Sequence, residues 1–131
     1  MISNNKTALE KRWCSSVANF ATNSGWLTDK FGGYCANPYL FQVHHVEGRK
    51  AKRKINFVTE KIGEWFILPV PFELHDVHQT QNKLNVTHNK KAFEKTFGTQ
   101  KELWLDIVKS MKAEGYEIPF NEDTIEGVIN G

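Results

Sequence analysis

Cysteine is scarce in this chain. Only Cys14 and Cys35 occur, and neither has a CxxC partner, which excludes a zinc ribbon and a dithiol redox centre. Both are expected to be free thiols in a reducing compartment, Cys14 within a helix core. No stretch approaches the ~20 apolar residues that cross a bilayer. The first residues, Met1 to Lys6, contain no apolar segment of a secretory leader, so the expectation is an unprocessed, soluble, cytoplasmic chain with no membrane partner. Repeats and low-complexity segments are missing too. The net charge of +2 is too small to establish a polyanion partner, and the 40% hydrophobic share, with four Trp, nine Phe and three Tyr, excludes a disordered chain. At 131 residues the expectation is one domain, 1–131, with one core.

What is present is concentrated. All five histidines lie between positions 44 and 88, and the first two are adjacent in Val43-His44-His45-Val46-Glu47-Gly48-Arg49-Lys50. In a strand, neighbouring side chains point to opposite faces, so His44 and His45 are expected to do two different jobs. Imidazole suits both metal ligation and proton transfer, because its neutral form binds divalent ions and its pKa lies near working pH. A basic run, Arg49, Lys50, Lys52, Arg53 and Lys54, follows the pair directly. Alone it reads as a solvated turn; beside a metal centre it favours phosphate contact.

Periodicity supplies the framework. Over 6–22, Leu9, Trp13, Val17 and Phe20 mark one face of a helix. Residues 23–40 mix Gly25, Gly32, Gly33 and Pro38 with Trp26, Phe31, Tyr34 and Tyr39, which predicts an ordered aromatic loop without long regular elements. Trp26, Tyr34 and Tyr39 have the chemistry to stack on bases but read better as core, as do Trp65, Phe66 and Phe72. Phe41 to Val46 and Trp65 to Val70 read as an antiparallel pair with a long connection. Residues 74–80 can form a helical turn, Asn85 to His88 open a helix carrying Phe93 and Phe97, and Gly98 ends it. Thr99 or its neighbour caps a further helix, Gln100 to Glu114, with Leu103, Ile107, Val108 and Met111 on its apolar face, and Gly115 terminates it. The tail holds one more short helix at most.

Strand, strand, helix, with a His-His pair on the first strand and more histidines where the second strand meets the helix, is the order of parts in the ββα-metal nucleases. The segments VHHVEGR, GEWFILPVPFELHDVHQ, NVTH and AFEKTFGTQKEL resemble HNH endonucleases of the phage Ref-like recombination group, over roughly residues 40–105. The chain departs from many relatives in lacking their zinc-ribbon cysteines. The resemblance implies an α+β fold: a ββα-metal core at about 40–98, an antiparallel hairpin plus helix, set among additional helices, with the N-terminal helix and aromatic loop at 1–40 and C-terminal helices at 99–131.

It also implies a function, metal-dependent DNA endonuclease activity that leaves 5′-phosphate ends. Phosphodiester hydrolysis needs an in-line nucleophile, charge neutralisation on the phosphate and help for the leaving oxygen. By the resemblance, His45 is the general base that activates water, and His44 binds one divalent ion (Mg²⁺, Mn²⁺, Zn²⁺ or Ni²⁺) together with His75 and His88. His78 is the alternative ligand, since His75 and His78 would share a face of a helical turn. Asn85 and Asp76 are the candidates to orient the site; Asn56 and Asn82 compete with Asn85, whose bland role is a helix N-cap. DNA is the expected partner, held by Arg49, Lys50, Lys52, Arg53 and Lys54, with phage or host recombination and replication proteins in a bacterial cytoplasm. The main rival is a non-catalytic DNA-binding protein with a structural metal at the same histidines. Structural sites usually close all four positions with Cys and His, and no cysteine lies near. A metal-dependent hydrolase of another substrate would have no use for the basic run.

Overall fold

Thr7 starts the first helix by a reciprocal cap: its hydroxyl accepts from the Glu10 amide at 3.2 Å, and the Glu10 carboxylate accepts from the Thr7 amide at 2.8 Å. Helix α1, Ala8–Ser24, buries Trp13, Val17, Phe20 and Ala21. Leu9, expected on that face, lies in the first turn and is 40% exposed. Gly25, at φ 74°, turns the chain directly into α2, Trp26–Phe31. The computed structural model describes residues 7–32, 35, 39–55, 57–75 and 84–128. Over these the protein is α+β, with six helices and two small two-stranded antiparallel sheets.

Strands β1, Phe41–His45, and β4, Ile67–Pro71, form the first sheet, with His44 opposite Leu68 and Gln42 opposite Val70. The antiparallel pair expected from the sequence is therefore present. Two prolines are tolerated in β4 because the bonds to β1 run through alternate residues. Phe66 and Phe72 pair with Val46 and Leu40 through their backbones, so Pro69 and Pro71, odd in the same series, turn their missing N–H groups away from β1. All five β4 residues are buried, with α1, α2 and a later helix, α5 (Gln100–Ala113), packed against the strand.

The long connection is not a loop. Lys52–Ile55 form β2, which pairs with β3, Val58–Lys61, and backbone bonds from Ile62 (2.9 Å) and Gly63 (3.2 Å) to the Ala51 carbonyl carry the ladder back toward the first sheet. The two sheets are thus one interrupted hairpin, with 47–50 bulging opposite 63–65. The second half of the basic run folds as a strand because alternation serves it: Lys52 and Lys54 are exposed, whereas Arg53 and Ile55 are half-buried, and the last helix, α6 (Glu122–Val128), packs on β2. At the tip, Phe57 takes φ 70°, a conformation that costs a bulky L-residue about 1–2 kcal/mol.

One helical turn, α3 (Phe72–His75), follows β4; α4 (Lys90–Phe97), α5 (Gln100–Ala113) and α6 (Glu122–Val128) complete the chain. Helix α4 begins after His88, with Asn89 as its N-cap, so Asn85 to His88 form a turn ahead of the helix and not its opening. Thr99 caps α5 as expected, accepting from the Glu102 amide at 3.1 Å, and Leu103, Trp104, Ile107, Val108 and Met111 are buried. Two indoles meet on one acceptor: Trp13 Nε1 (3.1 Å) and Trp104 Nε1 (2.9 Å) both donate to the Trp65 carbonyl. They use both its lone pairs and pin the bulge to α1 and α5.

Phe31, Phe93 and Phe97 form an aromatic cluster, with Phe31 5.0 Å from Phe97 and 6.0 Å from Phe93 between ring centroids. Trp26 is core, its Nε1 donating to Asp106 at 3.0 Å. Phe66 is fully buried, and Trp65 and Phe72 are half-buried. Tyr39, expected inside, is 72% exposed, and Tyr34 lies outside the described residues. Cys14 is half-buried and Cys35 buried, both as free thiols; burial pushes the Cys35 thiol up. No helix among the described residues is long and apolar enough to cross a membrane.

Candidate functional site

The two adjacent histidines diverge. On one face of β1, Gln42 and His44 lie two residues apart, and His75 approaches both from α3. The His44 and His75 rings stand edge to face with centroids 4.9 Å apart. Each ring is tied back by an amide oxygen: His44 Nε2 donates to Gln100 Oε1 at 2.8 Å, and His75 Nδ1 donates to Gln42 Oε1. These bonds set the tautomers, placing the lone pair on Nδ1 of His44 and on Nε2 of His75. Gln100 reaches His44 because it is the first residue of α5, and Thr99 capping fixes that helix start.

Burial, with His75 the next influence, lowers the His44 imidazole from its ordinary 6.5 to about 4. The Gln100 bond opposes the shift, and His45 and Lys90 add to it. At neutral pH His44 is therefore uncharged, the form that binds metals.

On the opposite face, His45 Nε2 lies 3.3 Å from Glu64 Oε1, with side chains 16% and 7% exposed. Arg49 Nε donates to the same oxygen at 3.3 Å. Glu64 is presented by the bulge, whose geometry depends on Gly63. A Cβ there would stand 2.2 Å from the Gly48 carbonyl oxygen and 2.6 Å from that of Arg49, contacts that only glycine avoids. Gly48 itself adopts φ 92°, so two glycines let the 47–50 and 63–65 segments close upon each other.

Of the residues expected at the site, His44 and His75 are brought together, and His45 stands alongside with its Nε2 3.3 Å from the Glu64 carboxylate. His88 is exposed in the turn before α4. Among the described residues no group of three His, Cys, Asp or Glu forms a metal set, so His88 does not complete one with His44 and His75. Asn85 is fully buried, and its Oδ1 accepts from the Thr87 (2.9 Å) and His88 (3.0 Å) amides. It shapes the turn that carries His88. His78, Asp76, Asn56 and Asn82 lie outside the described residues.

In the basic run, two cations are engaged by carboxylates: Arg49 by Glu64, and Arg53 by Glu47. Lys50, Lys52 and Lys54 are exposed. Sequence reasoning assigned no role to Gln42, Gln100 or Glu64. Gln42 was signalled by its place two residues before His44, on the same strand face, and Gln100 by its place in the segment AFEKTFGTQKEL. Glu64 had no signal short of the bulge itself. Comparison with family models, curated proteins and solved structures returns no match.

Proposed function

We propose that this chain is a metal-dependent DNA endonuclease of the HNH type, in which His45 is the general base and His44 and His75 hold one divalent cation. The observation that carries the reading is the arrangement on β1: a neutral His44 imidazole against the His75 ring on one face, and His45 within 3.3 Å of the Glu64 carboxylate on the other. The donor set fits two ligands of a cation site, because metal-ligating histidines characteristically donate their second nitrogen to an oxygen acceptor, as His44 and His75 do to Gln100 and Gln42. A third protein ligand would come from His78, the alternative that the resemblance offers, since His88 forms no such set with His44 and His75. Bound there, the ion would neutralise phosphate charge and ease departure of the leaving oxygen.

The chain's own groups do the rest. Glu64 orients His45 and stabilises the imidazolium that forms when His45 takes a proton from water. Arg49 shares that carboxylate and holds it in place. Lys50, Lys52 and Lys54 supply the charge that retains DNA near the site.

Incubating supercoiled and single-stranded DNA with the protein across Mg²⁺, Mn²⁺, Zn²⁺ and Ni²⁺ tests the reading, with chelator as the control. The expected result is nicking or cleavage with at least one ion and none in chelator. Intact DNA under every ion, from a folded protein, contradicts it.

A further inference from the structure

The β2–β3 hairpin projects from the bulge that carries Arg49 and Glu64, and its composition makes little sense for an isolated protein. Its register sets Lys52 opposite Lys61, Arg53 opposite Glu60, Lys54 opposite Thr59 and Ile55 opposite Val58. Directly opposed residues share a face and neighbours alternate, so Lys52, Lys54, Thr59 and Lys61 line one face. Those four residues are exposed; on the other face Arg53 and Ile55 are half-buried, and Val58 and Glu60 are exposed. The lysine face contains no carboxylate, and like charges held directly opposite, as Lys52 and Lys61 are, destabilise a sheet.

The tip adds a second cost. Phe57 is 93% exposed at φ 70°, in a hairpin turn where Gly or Asn would sit without strain. Among the described residues nothing offsets either feature. A polyanion bearing flat aromatic faces repays both.

We propose that this hairpin is a single-strand-binding finger, in which Lys52, Lys54 and Lys61 contact phosphates and Phe57 stacks on an unpaired base. Stacking on an aromatic side chain needs a base face released from its neighbours, so the ligand is single-stranded or locally opened DNA and not an intact duplex. The proposal rests on the nuclease reading for its choice of DNA, and it deepens that reading by naming the substrate form. The finger is continuous through Ala51, Ile62 and Gly63 with the bulge at His45, which puts a strand held on it beside the candidate base. An anionic lipid surface would also attract lysines and an aromatic, but Phe57 and Val58 are the hairpin's only exposed large apolar side chains, short of an apolar face able to enter a bilayer surface.

The test is equilibrium binding of a 2-aminopurine oligonucleotide, single-stranded or in a blunt duplex, to the full chain in chelator. Vesicles of anionic phospholipid serve as the competing probe. The wild type should prefer the single strand and change the 2-aminopurine emission on binding. Phe57→Ala should weaken single-strand binding by about 10-fold or more, and Phe57→Trp should retain it. Phe57→Gly should raise thermal stability while losing affinity, a combination that a merely structural tip would not give. Each of Lys52→Gln, Lys54→Gln and Lys61→Gln should reduce the salt dependence of single-strand binding by ~0.7 in log-log slope. Wild-type affinity in Phe57→Ala and Phe57→Gly overturns the proposal, as does binding to vesicles in preference to DNA. Cleavage of DNA with Phe57→Ala indistinguishable from wild type removes the finger and leaves the nuclease. Phe57-dependent binding with no cleavage under any ion removes the nuclease and leaves the finger.

Discussion

A histidine's usefulness to a metal depends on which of its nitrogens is already engaged, and here Gln100 settles that for His44. Removing the amide by Gln100→Ala should lower metal affinity about 10- to 100-fold, the usual cost of losing the outer partner of a ligating imidazole. Calorimetric titration with Zn²⁺ or Ni²⁺ checks it, and unchanged affinity would mean that Gln100 serves packing alone. The same environment predicts an acid response. His44 sits at about 4 in the folded chain against an ordinary 6.5, so the unfolded chain takes up its proton first. Its contribution to stability is complete above about pH 6.5 and is lost as pH falls toward 4, by about 3 kcal/mol in all. Urea unfolding in chelator at pH 7 and pH 4 should show a loss for the wild type that exceeds the loss for His44→Gln by roughly that amount; equal losses would refute it. At this scale the sequence was informative where side-chain period alone decides, as in the divergence of His44 and His45. It was silent where a partner arrives from far along the chain, because Gln100 is 56 residues from His44 and no local pattern encodes that meeting.

Elements explain what single residues cannot. Helix α5 was legible to its cap because Thr99, the apolar face and Gly115 are all local signals. The β1–β4 pairing was legible from its apolar runs and prolines. The β2–β3 ladder was not, since three successive cations and a single apolar residue, Lys52-Arg53-Lys54-Ile55, look like a solvated connection until Glu47 claims Arg53 and α6 packs on the strand. The start of α4 was misplaced for a related reason: Asn85 caps a turn that ends before Lys90, and a cap preceding a turn reads the same as one preceding a helix. The bulge between the sheets makes the most testable element. Gly63→Ala puts a methyl group against two backbone oxygens, which cannot swing aside as side chains do. We expect a loss of about 1–3 kcal/mol in denaturant unfolding, together with reduced cleavage, because the same segment presents Glu64. Wild-type stability in Gly63→Ala would show that the 47–50 and 63–65 segments are not held together as described.

For the whole molecule, the helices and the interrupted hairpin divide the work. Trp13 and Trp104 fasten the bulge to α1 and α5 through one carbonyl, α5 delivers Gln100, and α3 brings His75 to β1. The fold class could be read from the order of periodic segments. The meeting of His44 with His75 was anticipated only through the family resemblance, which contact geometry neither requires nor replaces. If the adjacent histidines hold separate offices, one paired measurement separates them: the rate of plasmid cleavage and the affinity for a divalent ion, each determined for the wild type, His44→Ala and His45→Ala. Loss of a general base costs ~10²- to 10⁴-fold in rate, so His45→Ala should lose cleavage to that extent while binding metal normally, and His44→Ala should lose both. Near-normal cleavage by both variants, or weakened metal binding in His45→Ala equal to that in His44→Ala, would contradict the account.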